Sequence, residues 1–166
     1  MATVAVRQFA DRLADAVGSK RSQVVVGLDP VSGQLPAGVD LEAFCCGIVD
    51  AVAEHAVAVK PQSAFFEAHG WAGVEAFEHV CAYARAAGLL VIADVKRGDV
   101  GSTARAYAEA FVPLADAVTV NPYLGRDSLE PFVDACRRHG AAARSPPTTR
   151  RDRDGTRSCR RLARRG

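Results

Sequence analysis

Asp94, Lys96 and Asp99 are the residues whose types and spacing point most directly to chemistry. They lie in Asp94-Val95-Lys96-Arg97-Gly98-Asp99, directly after the apolar run Leu89-Leu90-Val91-Ile92-Ala93. If that run is a buried strand, side chains i and i+2 share a face. Asp94 and Lys96 then project together, with Asp99 just beyond them in a loop. An ammonium flanked by two carboxylates is a fixed positive charge and a source of a proton. A solvated surface has no need of one at the mouth of an apolar strand, whereas an active site does.

The elements that must hold these groups follow from periodicity. Val6, Phe9, Leu13 and Val17 have helical spacing over residues 4–17, ending at Gly18. Residues 23–28 read as a strand closed by Asp29-Pro30, and Asp40 as the N-cap of a helix reaching about His55. Residues 56–59 form a second strand closed by Lys60-Pro61, residues 73–87 a helix, and 89–95 a third strand. A helix from about Ser102 breaks at Pro113. Residues 117–120 make a fourth strand closed by Asn121-Pro122, and 128–139 a helix stopped by Gly140.

Strand and helix alternate four times, which argues for βα units on a parallel sheet. The strands are continuous apolar runs, as when both faces are covered. An open doubly wound sheet and a (β/α)8 TIM barrel both fit that alternation. No Gly-rich phosphate loop follows any strand, whereas Asp29, Lys60, Asp94, Lys96 and Asn121 gather at successive strand ends. That is how a barrel builds its site, and the expected fold is an α/β TIM barrel. A complete barrel takes about 250 residues and this chain has 166. Four βα units occupy residues 1–140. Residues 141–147 carry no β-branched run, so no fifth strand is expected, and 141–166 read as an irregular arginine-rich tail.

The tail also differs in charge. Residues 1–140 hold 17 acidic and 12 basic side chains, a net of −5, whereas 141–166 hold nine arginines and two aspartates, a net of +7. The tail lacks interleaved aromatics, so no nucleic-acid partner is expected. Its composition, with no lysine, is consistent with a shifted reading frame, which resequencing of the coding DNA tests. No apolar run approaches the ~20 residues of a membrane span. Residues 1–18, with Arg7, Asp11, Arg12 and Asp15, do not read as a signal peptide. Cys45, Cys46, Cys81, Cys136 and Cys159 show no CxxC or Cys/His ligand spacing. Their odd number fits a reducing cytoplasm, and no metal site is expected.

Taken together, the strand-end motifs resemble the orotidine 5'-phosphate decarboxylase family, in its bacterial subgroup. The matching pieces are Gly27-Leu28-Asp29-Pro30, Val59-Lys60-Pro61-Gln62, Phe65-Phe66-Glu67, Ala93-Asp94-Val95-Lys96-Arg97-Gly98-Asp99 with Thr103, and Asn121-Pro122-Tyr123-Leu124-Gly125. The resemblance covers about residues 1–140, half of the expected barrel. It implies decarboxylation of orotidine 5'-phosphate to uridine 5'-phosphate, in pyrimidine synthesis, with no metal or organic cofactor. Lys96 would donate the proton, Asp94 would lie against the departing carboxylate, and Lys60 would complete the charge chain and hold the ribose. Asp29 would bind ribose hydroxyls. Asp99 and Thr103 would reach into a neighbouring subunit's site, so that activity requires a homodimer.

The implied chemistry accounts for the residue types. Loss of carbon dioxide leaves an electron pair on an sp2 carbon with no adjacent carbonyl, so fixed charge must stabilise it. Two like charges ~4 Å apart repel by roughly 4 kcal/mol at an effective dielectric of 20. Asp94 beside the substrate carboxylate would thus raise the ground state until carbon dioxide leaves. The family's phosphate-binding loops follow the seventh and eighth strands, and nothing here matches them. These 166 residues are therefore expected to be inactive or very weak alone. Two other readings remain open: a related magnesium-dependent enzyme acting on a phosphorylated keto-sugar, and a non-catalytic truncated product with exposed sheet edges.

Overall fold

Short apolar runs ended by Gly or Pro become the central strands here because helices cover them, whereas Val25 at the sheet edge stays exposed. A computed structural model describes residues 7–145. Five parallel strands, β1 (Val25–Leu28), β2 (Ala58–Pro61), β3 (Leu90–Arg97), β4 (Ala117–Val120) and β5 (Ala142–Arg144), pair in chain order. Helices α2 (Leu41–Val52), α4 (Gly70–Ala86), α5 (Gly101–Phe111) and α6 (Arg126–His139) connect them. The short α3 (Ser63–Glu67) precedes α4, and α1 (Phe9–Lys20) precedes the sheet. α2 packs on α4 and α5 on α6. This is the βα succession of the TIM-barrel class, with β4 buried along its whole length.

The helix termini follow local chemistry. The Asp40 carboxylate accepts a bond from the Ala43 N–H at 2.7 Å, the expected N-cap. Gly140, at φ 65°, supplies the left-handed residue that ends α6. Phe66 and Phe132 are fully buried in the core. Phe66 meets Phe77 edge-on at 5.3 Å between centroids, and Phe77 meets Phe111 in the same way at 6.4 Å.

α1 is fastened at the N-terminal ends of the strands. Lys20 Nζ donates to the carbonyls of Ala53 at 2.7 Å and Ala56 at 2.9 Å. Arg12 pairs with the buried Asp116 at the start of β4 and donates to the Gly140 carbonyl at 3.1 Å. Asp116 also accepts from the Val91 N–H at 2.8 Å.

Several expectations need correction. A fifth strand exists: Ala142 and Ala143 pair with Ala117 and Val118, and the Ala142 N–H bonds the Asp116 carbonyl at 3.0 Å. The ladder offered by β4 outweighs the weak propensity of alanine, so residues 142–144 form a strand where none is expected. Of the irregular tail read over 141–166, residues 146–166 lie outside the described residues. α1 begins at Phe9 and runs through Gly18 to Lys20, ending where Arg21 turns left-handed at φ 49°. Val4 and Val6 lie outside the described residues. β2 includes Lys60 and β3 includes Lys96, both of which the apolar runs alone place beyond their strands. The motif residues Phe65-Phe66-Glu67 fold as part of α3, a helix that periodicity does not predict.

Phe66→Ala is expected to cost about 3–5 kcal/mol in a urea melt. Trp71→Ala, at a site 78% exposed, is expected to stay within about 0.5 kcal/mol of the parent.

Candidate active site

The C-terminal ends of β2, β3 and β4 bring one carboxylate and two ammoniums together. Asp94 is only 5% exposed, and both of its oxygens are fully engaged. Oδ2 accepts from Lys60 Nζ at 2.6 Å and Gln62 Nε2 at 3.2 Å. Oδ1 accepts from Lys96 Nζ at 2.7 Å and Thr119 Oγ1 at 2.8 Å. Burial pushes the Asp94 carboxyl up. The bonds from Lys60, Lys96 and Thr119, with the Lys60 charge, outweigh that and hold it below the usual carboxylate range. The two lysine side chains are 35% and 42% exposed, so both ammoniums open toward solvent at the strand mouths.

Lys96 reaches Asp94 by a route that simple alternation does not give. Its φ is +49°, and Arg21 is the other described non-glycine residue with positive φ. The register between β3 and β4 passes from Ala93↔Val118 to Arg97↔Val120, four residues of one strand against two of the other. This bulge turns the chain so that Lys96 faces back onto Asp94. Such a left-handed residue costs roughly 1 kcal/mol or more. Gly98 lets the strand exits close up behind it, since a Cβ there would stand 2.5 Å from the Asn121 carbonyl oxygen. Arg97 anchors the bulge from outside: its guanidinium lies 5.4 Å from the ring centroids of both Tyr107 and Phe111 and pairs with Glu67.

Of the residues read from sequence, Lys60, Asp94 and Lys96 converge. Asp99 does not join them within one chain: its Oδ1 accepts from the Val100 N–H at 2.7 Å. The expected pair of acids around one ammonium therefore reduces to one acid between two ammoniums. Thr103 is exposed on the first turn of α5. Asp29 is exposed after β1, its carboxylate folded back over Gly27, where a Cβ would meet Oδ2 at 2.6 Å. Asn121 caps its own loop by accepting from the Tyr123 N–H at 3.0 Å. Gln62 and Thr119 touch Asp94, and sequence reasoning misses both as site residues. Gln62 stands in the Lys-Pro-Gln motif, whereas Thr119 is hidden in an ordinary β-branched run.

Other chemistries find less support. Burial pushes the thiols of Cys45, Cys81 and Cys136 up to about 12, so none is a ready thiolate at neutral pH. Among the described residues, no three His, Cys, Asp or Glu side chains converge on a point where a metal ion could sit. A groove of about 760 Å³ between α2 and α4 is lined by Leu41, Cys46 and Tyr83 among others, and contains none of the converging charges.

Residues 22–157 match the model of the orotidine 5'-phosphate decarboxylase / HUMPS family. An orotidine 5'-phosphate decarboxylase from a Nocardioides species is 49% identical over 144 residues, which are 80% of this chain and 52% of the relative. One from Rhodopirellula baltica is 46% identical, with the same coverage. The structure of Leishmania donovani OMP decarboxylase superposes with a TM-score of 0.69 at 38% identity, over 82% of this chain and 52% of that one. The chain thus spans about half the length of the curated relatives it matches.

The lowered Asp94 carboxyl sets a pH dependence. Its folded-state value lies below its unfolded one, so its pairing stabilises fully above about pH 4 and fades as pH falls through the folded value. Urea midpoints of the parent are expected to drop below about pH 4 more steeply than those of Asp94→Asn. Parallel profiles would contradict the pairing.

Proposed function

The chain belongs to the orotidine 5'-phosphate decarboxylase / HUMPS family, and from that premise we propose that it supplies the charged side of a site that converts orotidine 5'-phosphate to uridine 5'-phosphate. The observation that carries this reading is the Lys60–Asp94–Lys96 chain at the mouths of adjacent strands. In the proposed step the bond from the ring carbon to the carboxylate breaks, the electron pair stays on the carbon, and carbon dioxide leaves. The Lys96 ammonium stabilises that pair and then gives up a proton to form the new C–H bond. Solvent reprotonates the neutral amine.

Asp94 has two tasks in this scheme. It fixes the ammonium before substrate arrives, so that little reorganisation is needed in the transition state. It also stands against the substrate carboxylate, a repulsion that disappears with carbon dioxide. Lys60 balances the buried charge of Asp94 and faces the ribose, whose hydroxyls Asp29 receives. Asp99 and Thr103 make no bond to the lysines of their own chain. That suits the role of completing a partner's site in a homodimer. The scheme needs neither metal nor organic cofactor. A reaction of nucleotide synthesis fits a cytoplasmic enzyme, and no described helix is long and apolar enough to cross a membrane.

The test joins this chain to the complementary part of the Nocardioides relative's barrel. Orotidine 5'-phosphate is expected to yield uridine 5'-phosphate in the presence of EDTA. Lys96→Ala is expected to lower kcat by about 10³-fold or more while the fold survives, as followed by circular dichroism. Turnover of Lys96→Ala within tenfold of the parent would contradict the role of Lys96, and abolition by EDTA would favour the keto-sugar enzyme. The 166-residue chain alone is expected to be very weak, because binding energy from the remote phosphate drives the reacting end into place. A kcat/KM near that of the relative would contradict this.

A further inference from the structure

On the decarboxylase reading, we propose that Thr119 is a positioning residue that holds Lys96 at both of its ends. Its hydroxyl has a single proton. The oxygen accepts from the Lys96 backbone N–H at 2.9 Å, so the proton is free to go to Asp94 Oδ1, 2.8 Å away. That same Oδ1 receives the Lys96 ammonium at 2.7 Å. A closed ring results: Lys96 backbone to Thr119, Thr119 to Asp94, and Asp94 back to the Lys96 side chain.

The ring answers the problem that the bulge creates. Where four residues of β3 pass two of β4, the half-buried Lys96 N–H leaves the regular register and needs another acceptor. Thr119 Oγ1 provides it and so stabilises the left-handed φ of Lys96. Thr119 is itself 7% exposed, and pairing with Arg144 on β5 fixes its backbone. Branching at Cβ restricts its χ1, so the hydroxyl is aimed before substrate binds. The short strand β5, which propensity does not announce, thereby supports the placement of the proposed proton donor.

Substitutions separate the hydroxyl from the methyl. Thr119→Val keeps the shape and removes the hydroxyl, whereas Thr119→Ser does the reverse. Amide hydrogen exchange is followed by NMR in the 166-residue chain, at Lys96 relative to Val118 and Val120. Thr119→Val is expected to speed Lys96 exchange by about tenfold, and Thr119→Ser to stay within about twofold of the parent. Thr119→Ala, which cannot clash, is expected to match Thr119→Val and serves if the latter misfolds. Unchanged exchange in the hydroxyl-free variants, or faster exchange in Thr119→Ser alone, would overturn the proposal in favour of simple packing. No substrate enters these measurements. Failure to decarboxylate would therefore count against the decarboxylase reading and leave the exchange result to decide on Thr119.

Discussion

A carboxylate placed between strands of an apolar sheet must be paired, and that constraint organises this molecule. Removing an ion from water costs several kcal/mol even after relaxation. Asp94 offsets that cost with four donors from three successive strand ends: Lys60 and Gln62, Lys96, and Thr119. Such a cluster adds little to stability by itself, since apolar residues of similar size would do as well or better. What it provides is an ammonium fixed in place beside the carboxylate.

The two ends of the sheet divide the work. At the N-terminal ends, Lys20 and Arg12 tie α1 to backbone carbonyls and to Asp116. Those contacts hold the strands together and present nothing reactive to solvent. At the C-terminal ends the same strands expose Lys60 and Lys96, with the bulge and its Arg97 anchor adding local geometry. The separation matches the barrel class, where maintaining shape and performing chemistry fall on opposite faces.

What could be read from sequence depended on how unusual each residue was in its setting. Lys60, Asp94 and Lys96 were legible because a charge at the end of a buried strand is costly unless a site uses it. The parallel sheet was legible because four apolar runs alternate with helical periods. Thr119 was not, since threonine in a strand is what propensity alone would place there. The approach of Lys96 to Asp94 was anticipated through regular alternation, but the bulge that produces it depends on strand pairing. Asp99 was drawn into the cluster by spacing, whereas a loop direction is set by packing that spacing does not encode. β5 escaped because three residues without branched side chains become a strand only beside β4.

Asp94 must stay ionised between two ammoniums, although its burial alone would favour the neutral acid. Following its side-chain carboxyl carbon by NMR through an acid titration of the 166-residue chain tests this most directly. A midpoint below the ordinary carboxylate value of about 4 is expected. A midpoint at or above that value would mean that burial wins over pairing, and the proposed proton donor would lose its anchor.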